Sequence, residues 1–174
     1  MKKSLRDKLI GTKFERHLTG TTALGVKGRD EELFRSMLKG QYYKHIVEIG
    51  TCKGIGTALL VDYADKVTTF DIKRRPTCKP LWEFLGITKK IKHMVIPNRE
   101  ELYKAVESLK FDLVFIDNGK QYKAIINNFR ISKKCGKVLF HDYSKNWLAI
   151  FNFINNLDQS KLIKRPPFVL WEDK

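Results

Sequence analysis

No run of apolar residues approaches the ~18 that a membrane-spanning helix needs, so this 174-residue sequence offers no helical span to a bilayer. Acidic residues are scarce: 19 Asp and Glu stand against 34 Lys and Arg, a formal net charge of +15. Cysteine is scarcer. Cys52, Cys78 and Cys135 are scattered, odd in number and without metal-ligand spacing, which argues against a disulfide framework or a thiolate zinc site. The basic start, residues 1–8, leads into no apolar segment, so no secretory signal is expected there. A reduced, cytoplasmic setting follows as the expectation. Internal repeats and low-complexity linkers are also missing, which leaves one domain of ordinary size. A composition 43% hydrophobic and 11% aromatic excludes wholesale disorder.

What is present is an alternation. Composition changes near Gly40, dividing a basic lead with one helix (residues 1–40) from a core (residues 41–174). In the lead, residues 30–38 have helical spacing, with Asp30 as a cap and Gly40 as a stop. Helices are expected at 56–64, 79–85, 99–109, 122–134 and 146–157. Apolar runs at 45–49, 66–70, 91–96, 111–116 and 137–140 read as strands. Two late strands, 162–163 and 168–171, surround Pro166-Pro167. Five strand–helix units imply an α/β fold: a Rossmann-like, doubly wound, mostly parallel seven-stranded sheet with helices on both faces. The runs lack two-residue alternation, as strands buried on both sides do. Trp82, Phe84, Trp147, Phe151 and Phe153 fall at helical spacing and read as core.

In such sheets ligands bind beyond the carboxyl ends of the strands. Four groups sit there: the Gly50 loop, Asp71, Asp117 and His141-Asp142. The loop places Gly50, Gly54 and Gly56 after a strand, where glycine allows a tight turn and a close ligand. It lacks the spacing of the dinucleotide fingerprint, and no Gly-Lys-Ser/Thr closes it as a P-loop. Asp71 follows Gly50 by 21 residues and ends the second strand, where a carboxylate accepts hydrogen bonds from both ribose hydroxyls. Loop and carboxylate together point to an adenosine-containing ligand.

Val47-Glu48-Ile49-Gly50-Thr51-Cys52-Lys53-Gly54 resembles the first motif of class I S-adenosylmethionine-dependent methyltransferases. Phe111-Asp112-Leu113-Val114-Phe115-Ile116-Asp117, followed by Val138-Leu139-Phe140-His141-Asp142-Tyr143, resembles the small-molecule, catechol-type O-methyltransferase branch. The resemblance spans residues 43–143. It implies that S-adenosylmethionine is the cofactor, held by Glu48 at the methionine amino group and by Gly50, Thr51, Gly54 and Gly56 in the loop. Asp71 would take the ribose, and Asp117 would face the transferred methyl. Asn98 matches a position that meets the adenine edge; as a residue it equally reads as the cap of the helix behind it. Asp117-Asn118-Gly119-Lys120 is similar to a pattern in which Asp helps hold magnesium and Lys is the base, and Asp142 matches the second carboxylate. Asp117, Lys120, His141 and Asp142 are therefore the catalytic candidates, with Asp117 and Asp142 as metal ligands. The chain departs from that pattern in having Tyr143 after Asp142 and Gly119-Lys120 in the fourth-strand loop, which leaves metal dependence open.

The acceptor this implies is small or anionic. Nucleic acid stays open because of the charge, although His141-Asp142-Tyr143 stands where a ribose methyltransferase would want a Lys. A cofactor-binding module without catalysis is the other alternative. The Gly/Thr-rich stretch 19–28 is the candidate lid. Lys73-Arg74-Arg75, directly after Asp71, is the basic cluster nearest the expected site.

Overall fold

The computed structural model describes residues 4–18, 29–118 and 121–173. Seven strands form one sheet: β1 (Tyr43–Ile49), β2 (Ala64–Asp71), β3 (Ile91–Val95), β4 (Leu113–Ile116), β5 (Lys137–Phe140), β6 (Leu162–Arg165) and β7 (Phe168–Glu172). Their spatial order is β3-β2-β1-β4-β5-β7-β6. The first five run parallel, and β7 lies antiparallel to both β5 and β6. The chain steps outward from β1 to β3, then crosses back to β4 on the other side of β1. That reversal opens a crevice at the carboxyl ends of β1 and β4.

Seven α-helices among the described residues accompany the sheet: α1 (Leu5–Leu9), α2 (Arg29–Met37), α3 (Ile55–Leu60), α4 (Cys78–Phe84), α5 (Arg99–Glu107), α6 (Tyr122–Ser132) and α7 (Leu148–Asn155). They cover both faces. Leu9, Phe34, Leu59 and Trp82 of α1–α4 share one apolar cluster with Leu113 and Phe115 of β4. Leu102, Ile125 and Phe153 of α5–α7 share the other with Val114 and Ile116. Alternate residues of β4 thus point to opposite cores, which explains a strand that is apolar at every position. Burying a side chain such as Phe115 stabilises the fold by ~1.5–3 kcal/mol.

Several boundaries differ from the sequence reading. The helix expected over 56–64 ends at Leu60. Val61–Tyr63 tighten into a 3-10 turn, and Ala64 already pairs with Tyr43 as the first rung of β2. Asp30 lies inside the first turn of α2 rather than capping it. The helix expected over 122–134 stops at Ser132, and Gly136 (φ +79°) turns the chain into β5. Phe84 is 51% exposed, not core: it lies at the end of α4, where its ring meets Phe14 with centroids 5.2 Å apart and stays largely open to solvent.

The lead contains an element that periodicity does not reveal. Ser4 and Asp7 form a capping box on α1. Buried Glu31 of α2 accepts from the backbone N–H groups of Leu5 (2.8 Å) and Arg6 (3.2 Å) and pairs with Arg35 at 2.9 Å. α1 is thereby fastened to the first core. The candidate lid, residues 19–28, lies outside the described residues. No helix among the described residues is long and apolar enough to cross a membrane.

Candidate functional site

The crevice begins at Gly50, which ends β1 with φ +110°. A Cβ there would lie 2.7 Å from the Asp117 carbonyl carbon and 2.8 Å from Asn118 Cβ. Only glycine lets the β1 and β4 loops approach this closely. Gly54 repeats the device: it precedes α3 in the left-handed conformation, and a Cβ would meet the Trp82 indole at 2.8 Å. Trp82 Nε1 donates to the Gly54 carbonyl at 3.0 Å, pinning the loop to α4.

A cavity of about 250 Å3 opens over this floor. At its β2 end stands Asp71, 6% exposed. Its carboxylate accepts from Cys52 N (3.1 Å), Lys73 N (3.0 Å) and Arg75 Nε (3.1 Å). Ile72, Leu102 and Tyr103 give this end an apolar wall, and Arg75 and Arg99 line it as well. At the β4–β5 end stand Asp117, Asn118, His141 and Asp142. The same four residues also line a smaller adjoining cavity closed by Trp147 and Ile150.

His141 is buried, and its ring stacks on Phe168 at 4.9 Å. Its Nδ1 lies 2.7 Å from Asp117 Oδ1 and 3.6 Å from Asp142 Oδ1. Burial alone would lower the imidazole pKa, but Asp117 and then Asp142 outweigh it, and the value is pushed up to about 9. One ligand atom from each of Asp117, His141 and Asp142 falls within 4.8 Å of the others, the spacing of a cation site. Asp142 holds a left-handed backbone, φ +64°.

The remaining sequence candidates divide. Glu48 does not reach the cavity. It is fully buried beneath the loop, accepting from the Thr57 hydroxyl and from Thr69 Oγ1 at 2.5 Å, while no described residue bonds its Oε1. Burial raises its pKa to about 8 against the opposing pull of Thr57 and Thr69, with Asp117 and Asp71 adding to the rise. Thr51 joins the same network through Thr69 at 2.7 Å. Gly56 is buried inside α3. Asn98 caps α5, its Oδ1 accepting from Glu100 N (2.8 Å) and Glu101 N (3.2 Å), and it does not line the cavity. Lys120 lies outside the described residues. The three cysteines form no disulfide. Cys78 is buried, which pushes its pKa up to about 12 and makes it a poor nucleophile. Arg75, Arg99 and Asn118 are cavity residues that the motif reading did not single out as site residues. Only the position of the basic run beside Asp71 hinted at Arg75.

Several solved structures share this fold. The O-methyltransferase TomG from Streptomyces achromogenes, whose structure holds S-adenosylmethionine, superposes with a TM-score of 0.68 at 16% identity, covering 87% of this chain and 82% of that one. An O-methyltransferase from Bacillus cereus, in complex with S-adenosylhomocysteine, gives 0.66 at 14% identity, with coverages of 87% and 84%. An rRNA methylase from Streptococcus thermophilus gives 0.59 at 17%, with coverages of 83% and 94%. At these identities the likeness establishes the fold. No curated protein sequence gives a significant match. Residues 12–145, most of the chain, match the profile of the family described as O-methyltransferase. The chain belongs to the O-methyltransferase family.

Proposed function

We propose that the chain moves a methyl group from S-adenosylmethionine to an oxygen of a small acceptor. One observation carries the reading: Asp71 and Asp117 face a single cavity from either side of a glycine that leaves no room for a side chain. The cradle suits the cofactor's parts. Asp71 offers carboxylate oxygens to a ribose diol, and Ile72, Leu102 and Tyr103 offer an apolar wall to an adenine. Asp117 and Asp142 set negative charge at the opposite end, where a sulfonium is stabilised. Glu48, Thr51, Gly54 and Gly56 shape the loop from beneath, and Asn98 fixes the start of α5 behind the adenine wall. When bound, the cofactor supplies an electrophilic methyl on a positively charged sulfur.

The acceptor's proton needs a destination, and His141 with its two carboxylates is the described group placed to take it. Asp117, His141 and Asp142 also suit a divalent cation in number and spacing, since two carboxylates give the hard oxygen donors that magnesium takes. Such an ion, when bound, lowers the pKa of an acceptor hydroxyl. We assign Lys120 to the same end from its place in the motif. The lead, residues 1–40, is assigned to the acceptor side; the contact of His17 Nδ1 with the Lys53 carbonyl of the glycine loop, at 3.2 Å, supports this. Three cysteines without a disulfide suit a reducing compartment, and we place the protein in the cytoplasm.

Titration calorimetry with S-adenosylhomocysteine tests the reading. A saturable one-site isotherm is expected, and no heat of binding at any practical concentration would sink it.

A further inference from the structure

The basic cluster Lys73-Arg74-Arg75 is the part of the site that methyl transfer leaves unexplained. β2 and β3 are neighbours, so the segments that follow them emerge side by side. Arg75 follows β2, Arg99 opens α5 after β3, and both line the cavity. Arg75 is held in place: its Nε donates to Asp71 Oδ2 at 3.1 Å, which leaves its two terminal nitrogens without a partner among the described residues. Arg99 makes no hydrogen bond or ion pair among the described residues. Glu100 and Glu101 share its helical turn, but neither pairs with it or with Arg75. Their backbone N–H groups are taken by Asn98.

The cavity is therefore polarised. Asp117 and Asp142 set two carboxylates at the β4–β5 end, whereas at the β2–β3 end the single carboxylate, Asp71, is already paired with Arg75 and Arg99 adds a further guanidinium. A sulfonium matches the first, whereas a neutral adenosine leaves the second with the charge of Arg99 in excess once Asp71 has paired with Arg75. Two guanidiniums on one wall are matched by a phosphate, whose oxygens take their parallel N–H donors. Lys73 and Arg74 beside them raise the local concentration of anions.

Building on the methyl-transfer reading, we propose that Arg75 and Arg99 form an anion subsite and that the methyl acceptor carries a phosphate that docks there. Arg75 is pre-oriented by Asp71, so little freedom is lost when the anion arrives. The phosphate belongs either to a small phosphate ester or to a nucleic-acid backbone, and the arms of one experiment separate these sources.

The protein is first titrated with S-adenosylhomocysteine, then, saturated with it, with inorganic pyrophosphate at low salt. Pyrophosphate is expected to bind the loaded protein. Arg99→Gln and Arg75→Gln should each weaken it about tenfold, the scale of a lost charge-assisted contact. Arg99 is an exposed helix residue, so its variant keeps the test alive if Arg75→Gln does not fold. Lys133→Gln with Lys134→Gln, at the opposite end of the sheet, should change the affinity less than twofold. A short single-stranded RNA that displaces pyrophosphate assigns the phosphate to a nucleic acid, and one that does not assigns it to a small ester; either result supports the subsite. No pyrophosphate binding, loss of binding when the cofactor site fills, or an equal loss in the Lys133/Lys134 variant overturns it. Failure of S-adenosylhomocysteine to bind is a separate result, which overturns the methyl-transfer reading and this inference with it.

Discussion

His141 donates from Nδ1 to Asp117 Oδ1 across 2.7 Å, because an ionised carboxylate can only accept. With its pKa pushed up to about 9 by Asp117 and Asp142 against the cost of burial, the imidazole is charged at neutral pH. A charged imidazole holds no lone pair for an incoming proton. Methyl transfer that uses His141 as base should therefore quicken about tenfold per pH unit below about pH 9 and level off above it. His141→Gln should abolish that limb and lower kcat by ~10²-fold or more. A wild-type rate that stays flat below pH 9 would send the proton elsewhere.

The same group ties stability to pH, and Glu48 adds to it. The folded values, about 8 for Glu48 and about 9 for His141, both lie above the ordinary 4.5 and 6.5. The native state keeps protons that the unfolded chain has already released. Stability is then full at low pH, falls once the unfolded Glu ionises, and keeps falling as pH rises through about 8 and then about 9. Thermal melts should show Tm declining across this window, with Glu48→Gln removing the lower part because an amide cannot ionise. A Tm that climbs with pH would contradict the account.

Asp71→Ala removes the carboxylate that we propose meets the ribose. Binding of S-adenosylhomocysteine should weaken by ~1–3 kcal/mol, as for other lost charge-assisted bonds. Calorimetry reads this directly, and unchanged affinity would place the ribose elsewhere.

Gly50→Ala forces a side chain into a backbone with φ +110° and into the Asp117 carbonyl. Such a conformation costs ~1–3 kcal/mol before any clash. Chemical denaturation should show that loss, accompanied by loss of S-adenosylhomocysteine binding. A fully stable variant that still binds the ligand would mean that the β1 and β4 loops separate easily.

Asn98→Ala distinguishes cap from ligand contact. Losing the cap should cost ~1 kcal/mol of stability. If Asn98 acts only through α5, affinity for S-adenosylhomocysteine at saturating fold will be little changed. A large drop in affinity with little change in Tm would put its side chain on the adenine.

The strand ends were readable because parallel strands are marked twice, by unbroken apolar runs and by the polar residues that stop them. Asp71, Asp117 and His141-Asp142 all carry both marks. Glu48 was legible as a motif position but not in its direction. Thr57 from α3 and Thr69 from β2 turn it under the loop, and no local pattern reports that pairing. The sequence sets the basic run 73–75 beside Asp71 without telling its members apart; the bond to Asp71 and the place in the cavity wall single out Arg75. α1 is five residues long, too short for periodicity to reveal, and depends on Glu31 from a distant helix. Phe84 has helical spacing with the other aromatics, but spacing gives a face without saying whether anything covers it.

The stacking of Phe168 on His141 has a bearing on biosynthesis. β7 inserts between β5 and β6 and contributes this ring to the back of the site, and the Tyr143 N–H donates to the Pro167 carbonyl at 3.0 Å beside it. Every residue of the glycine loop and every acidic strand end leaves the ribosome earlier than Phe168. A nascent chain can therefore display all of its motifs while His141 still lacks the surface that orients it. The His141 end of the cavity matures last, after the strand that carries none of the motifs has joined the sheet.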